Sequence, residues 1–155
     1  MVDSKQKGTR AELVARDTLR ELTGLSWERI PLSGALNSTH KLKGDIYIPE
    51  CNNIFCVEVK HYAEDQVSTK LITGKNPILL DWWQQTLRQA DSVNKEPLLL
   101  FKHDRSKWFV AFIGTNYNLN YKYIEYNYIS FQPPIIIAKL DDWLKNEEIQ
   151  WVKTL

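Results

Sequence analysis

Gly44-Asp45-Ile46-Tyr47-Ile48-Pro49-Glu50-Cys51-Asn52-Asn53-Ile54-Phe55-Cys56-Val57-Glu58-Val59-Lys60 reads as two short strands joined by a tight turn. A strand opens at Asp45, Pro49 to Asn53 carry turn chemistry, and Ile54 to Lys60 form the β-branched, aromatic-rich partner. Side chains alternate across a strand, so Glu58 and Lys60 share one face and Val57 and Val59 take the other. Two acids and an ammonium thus converge at adjoining strand ends, an arrangement able to hold a divalent metal. The plain alternative is an exposed strand face with a local Glu-Lys pairing.

Upstream, residues 8–22 follow a helical period that places Ala11, Ala15, Leu19 and Leu22 on one stripe with Val14 at its edge; Gly24 is a stop signal. Glu12 falls at the border of that stripe and is expected to be partly buried, either paired with Arg16 or Lys5 or offered to the acid-lysine hairpin as a third carboxylate. Residues 27–32 read as a strand, and 33–44 as a polar loop. Downstream, 61–77 is a second long polar segment, of the kind that is usually functional or disordered. A helix is expected over 79–93 from Leu80, Trp83, Leu87 and Ala90, then strands at 97–101 and 108–113. Residues 114–131, rich in Asn and Tyr, give no clear assignment; a short strand at 135–137 and a helical turn at 140–144 follow. Trp82 and Trp83 read as core or dimer-contact residues, and His40, His61 and His103 form no ligand set. His61 is expected to point away from Lys60.

The chain has 155 residues, 43% hydrophobic and 25% charged, with six Trp and seven Tyr. These values fit one globular domain with its own core rather than a disordered chain. No apolar run approaches the roughly 20 residues that span a bilayer, and the amino terminus lacks the apolar centre of a secretion signal, so a cytoplasmic protein without a membrane partner is expected. Cys51 and Cys56 show neither metal-ligand spacing nor a disulfide framework. The net charge of +1 is unevenly spread, since residues 45–59 contain three acids and no base while the segments on either side carry an excess of Lys and Arg. An acidic pit between basic flanks suits a metal centre addressed by a polyanion, although each excess alone fits a solvated surface.

Phosphodiester hydrolysis needs an activated water, neutralisation of charge on the phosphate and stabilisation of the departing 3′ oxygen; a carboxylate-held metal supplies these, and Lys60 could orient or deprotonate the water. The chain resembles the PD-(D/E)XK nuclease superfamily, and most closely its archaeal-type Holliday junction resolvase branch. Lys7-Gly8-Thr9-Arg10-Ala11-Glu12, Arg29 to Ser33-Gly34, Gly44-Asp45-Ile46, Glu58-Val59-Lys60 and Gln84 occur in that family's order over about the first 110 residues.

The resemblance implies an α/β fold with a restriction-endonuclease-like core, a mixed central sheet flanked by helices. One nuclease domain would span 1–155, with its core at about 5–113 and residues 114–155 as an extension completing the fold. It implies Mg²⁺, with Mn²⁺ as a substitute, held by Glu12, Asp45, Glu58 and the Val59 carbonyl, with Lys60 as catalytic lysine and Gln84 nearby; Gln85 is the fallback. Arg29 and Ser33 would contact phosphate, with Ser38 or Thr39 as substitutes for Ser33 because the spacing to Asp45 is long. Arg10, Lys41, Lys43, Lys70 and Lys75 complete the expected DNA contacts. The implied activity is a metal-dependent endonuclease that resolves four-way junctions as a homodimer, giving 5′-phosphate ends, in a prokaryotic or phage-infected cytoplasm. The alternatives are a restriction- or repair-type nuclease acting on duplex or flap DNA, and a catalytically silent nucleic-acid-binding module.

Overall fold

In the computed structural model, residues 4–31, 42–129 and 132–154 are described. Helix α1 spans Ser4–Thr23, starting before the apolar period begins. Ala11, Ala15 and Leu19 are buried as expected, but Leu22 is 48% exposed. The chain turns instead at Gly24 (φ 72°), and Trp27 folds back into the core with its indole N–H donated to Thr23 Oγ1 at 3.0 Å. Trp27 therefore takes the buried place that the stripe assigned to Leu22.

Strand β1 is only Glu28–Arg29, shorter than the expected 27–32, whose last residue lies outside the described residues. It pairs antiparallel with β2, Ile46–Tyr47, and β2 pairs antiparallel with β3, Phe55–Tyr62. The turn between β2 and β3 is fastened by buried Asn53, whose Oδ1 accepts the Ile48 N–H at 2.8 Å and whose Nδ2 donates to the Ile48 carbonyl at 2.7 Å. Both cysteines are free thiols.

After β3 the chain crosses over through α2, Lys70–Thr73, and α3, Ile78–Ser92, into β4, Glu96–His103, which runs parallel to β3. Strand β5, Phe109–Ile113, then pairs antiparallel with β4. The segment without a clear sequence assignment contains β6, Tyr123–Tyr126, an exposed edge strand that no apolar alternation marks. Strand β7, Ile135–Lys139, inserts between β5 and β6 and leads into α4, Leu140–Asn146. The result is a mixed seven-stranded sheet in the order β1-β2-β3-β4-β5-β7-β6, flanked by helices.

Alternation along β4 sends its side chains into two separate cores. Leu98 and Leu100 join Ala11, Ala15, Leu19, Val57, Val59 and Trp143 beneath α1 and α4. Leu99 and Phe101 join Leu79, Trp83, Ala111 and Ile137 beneath α3. Glu58 lies on the α3 side of β3 but near the sheet's short end strands, where helix cover gives way to a cleft. Among the described residues, no helix is long and apolar enough to cross a membrane.

Candidate active site

Gly44 sets the geometry at the head of β2. Its φ of 95° is one that side-chain-bearing residues rarely adopt, and a Cβ there would lie 2.7 Å from the Val57 carbonyl oxygen. The Gly44 N–H donates to Gln89 Oε1 on α3 at 3.0 Å, so the crossover helix holds this turn. Asp45 follows, its N–H donated to the Val57 carbonyl at 2.7 Å and its own carbonyl accepting the Ile30 N–H at 2.9 Å. With the backbone tied to both neighbours, the Asp45 side chain turns back over β3, where Oδ2 accepts the Val59 N–H at 2.7 Å.

That placement brings the Asp45 carboxyl into hydrogen-bonding contact with Glu58 on one side and Glu12 on the other. Glu58 is 2% exposed. Burial, and then the negative charge of Glu58, push the Asp45 pKa up to about 7. Burial also raises Glu58, opposed by its hydrogen bond with Asp45 and by the Lys60 ammonium. Glu12 is raised by burial and by Asp45, while Arg29 opposes the shift. Arg29 Nε donates to Glu12 Oε2 at 2.7 Å, which fixes the helix carboxylate through β1. Arg29, expected as a phosphate contact, is thus engaged by Glu12.

Glu12, Asp45, Glu58, Val59 and Lys60 border one cleft of about 750 Å³, together with Lys43 and the α3 residues Gln85, Arg88, Gln89 and Ser92. Gln84 does not border it and Gln85 does. With Trp83, Thr86 and Ala90 buried, the stripe at 85, 88, 89 and 92 is the one that α3 turns to the cleft. That i, i+3, i+4, i+7 spacing is present in the sequence, but only the docked sheet decides which face of α3 meets the cleft. His61 lies beside Lys102 in the ladder and binds Asp104 Oδ1 through Nε2 at 2.7 Å, at the border of the cleft.

Lys70 is on α2, 3.8 Å from Glu64, and neither it nor exposed Lys75 borders the cleft. Arg10 borders an adjoining cavity. Ser33, Ser38, Thr39 and Lys41 lie outside the described residues.

Among the described residues, no three His, Cys, Asp or Glu side chains already surround a common point as a ligand group. The three carboxylates influence one another's protonation, and Glu12 is engaged by Arg29. The donor chemistry nevertheless fits a hard cation. Three half-buried or buried carboxylates pressed together, with proton affinities raised by burial and by one another, favour a positive charge among them, and all their donors are oxygens.

Residues 3–154 match the family described as "Phage putative PDDEXK endonuclease". The chain is 40% identical over 158 residues to Protein D14 of Escherichia phage T5, covering 93% of this chain and 99% of that protein. A solved structure of Hjc, a Holliday junction resolvase from Archaeoglobus fulgidus, is similar with a TM-score of 0.42 and 16% identity, covering 92% of each chain. By its match over nearly its whole length, the chain belongs to the phage PDDEXK endonuclease family and is a nuclease.

Proposed function

We propose that this nuclease is a divalent-metal-dependent enzyme that resolves four-way DNA junctions by paired phosphodiester hydrolysis, leaving 5′-phosphate ends. The observation that carries the reading is that Glu12, Asp45 and Glu58 border one open cleft together with Lys60. These carboxylates and the Val59 carbonyl would hold Mg²⁺, or Mn²⁺ in its place, which would supply charge neutralisation at the scissile phosphate and a more acidic attacking water. Lys60 orients the nucleophile and offsets negative charge at the phosphorus, a role whose loss lowers turnover by roughly 10²-fold or more. Arg29 keeps Glu12 in place, Gln89 holds the turn that aims Asp45, and Lys43 and Arg88 receive backbone phosphates at the cleft margin.

Junction selectivity is supported by the ordered set of residues that resembles the archaeal-type resolvases. Symmetric cutting of two opposed strands requires two sites at a fixed separation, which a two-fold homodimer supplies. The phage relative supports a place of action in the cytoplasm of an infected cell.

Purified protein and its Asp45→Asn variant, incubated with a four-way junction, a flap and linear duplex, in Mg²⁺ or in chelator, test the reading. The expected result is symmetric paired nicks in the junction alone, lost in chelator and in the variant. Equal cutting of all three DNAs would replace junction resolution with a duplex- or flap-directed activity. Binding without cutting would leave a silent DNA-binding module.

A further inference from the structure

A second cavity, of about 490 Å³, adjoins the catalytic cleft, with Ala11 and His61 bordering both. Its floor is the line of strand ends: His61 on β3 pairs in register with Lys102 on β4, and Trp108 directly precedes Phe109, the β5 partner of Phe101. Arg10 and Val14 on α1 overhang this line. Val14 is 45% exposed, an apolar helix residue left out of the core. Lys102 Nζ sits 5.6 Å from the centroid of the Trp108 ring. The acid bordering the cavity, Asp104, is engaged by His61 at 2.7 Å, whereas neither Arg10 nor Lys102 is ion-paired among the described residues.

Two cations without an ion-pair partner among the described residues, beside an indole and an aliphatic side chain, are elements with which proteins hold single-stranded nucleic acid, the cations on phosphate and the ring against a base. The volume lies in the roughly 300–1,000 Å³ range of pockets that enclose small ligands. A base inside a duplex is covered by its stack and its partner and cannot reach a ring beneath α1; an unpaired one can. We propose that this cavity receives an unpaired nucleotide adjacent to the scissile phosphate, with Arg10 and Lys102 on its phosphate and Trp108 and Val14 against its base. The inference rests on the DNA-cleaving reading above and deepens it: through this subsite the enzyme recognises a base that opens at the branch point of its substrate.

Fluorescence anisotropy with the full chain in chelator, where no cutting occurs, reads the subsite directly. The probes are a labelled intact duplex and the same duplex carrying a single-stranded arm. Wild-type protein should bind the armed DNA more tightly, and Lys102→Gln and Trp108→Leu should each reduce that preference by about tenfold while leaving duplex affinity within about twofold. Thermal melting of both variants checks that the fold is retained, and Lys102→Gln, outside the packed core, remains informative if Trp108→Leu unfolds. Equal weakening on both DNAs would overturn the subsite in favour of a general phosphate patch, as would no change on either. Failure of the wild-type protein to bind a four-way junction as well as both probes would overturn the proposed function itself, and the subsite with it.

Discussion

Asp45 combines two roles that pull against each other, because the oxygen that accepts the Val59 amide belongs to a carboxylate crowded by Glu12 and Glu58. Its folded-state pKa, about 7, stands above the ordinary 3.8. Between those values the native state holds a proton that the unfolded chain has released, so stability from this group falls as pH rises through the window. Asp45→Asn keeps an acceptor for Val59 and removes the charge. In chelator the variant should be more stable than wild type by roughly 1–3 kcal/mol at pH 8, with little difference below pH about 4, as read by urea unfolding at both pH values. A variant less stable than wild type at pH 8 would show that the carboxylate is structural. Glu147 behaves in the opposite sense. Burial disfavours its charge, yet the N–H groups of Asn118 and Leu119 and the Tyr121 hydroxyl hold its pKa below the ordinary 4.5. Its contribution is present above that ordinary value and lost as pH falls through the lowered one. Glu147→Gln should cost about 1–3 kcal/mol at pH 7, and the gap should close on acidification.

At the scale of elements, β3 and α1 were legible because their patterns are local: alternation put Glu58 and Lys60 on one face, and the helical period put Glu12 at the border of a buried stripe. The phase of α3 was not. Successive helical residues are separated by about 100°, so choosing Gln85 over Gln84 requires knowing which side of the helix the sheet occupies. The Arg29-Glu12 pair was equally hidden, since its partners are 17 residues apart and meet only when β1 docks beside α1. The end of the chain was hardest to read, because β6 is exposed over three of its four residues and β7 returns to pair with β5 across a long connection. That return buries Trp143 fully against Phe55, Phe112 and Trp151. Trp143→Ala should therefore destabilise the protein by about 3–5 kcal/mol in chemical denaturation, far more than an accessory tail would. A change below about 1 kcal/mol would detach the terminal segment from the core.

In the whole molecule, the sheet runs unbroken from β1 to β6, with β4 contributing side chains to both cores. The acids gather where this rigid centre meets short strands, so the packed sheet fixes their positions and the cleft leaves them open to a long, charged substrate. The proposed activity requires cation binding by Glu12, Asp45 and Glu58. Calorimetric titration of Mn²⁺ into wild-type protein and Glu58→Gln at pH 8, with DNA nicking followed on the same samples, measures it. Saturable binding by wild type, at least tenfold weaker in the variant, with nicking reduced roughly 10²-fold or more in parallel, is the predicted result. Equal cation affinity in the two proteins, or nicking that survives the substitution or a chelator, would contradict it.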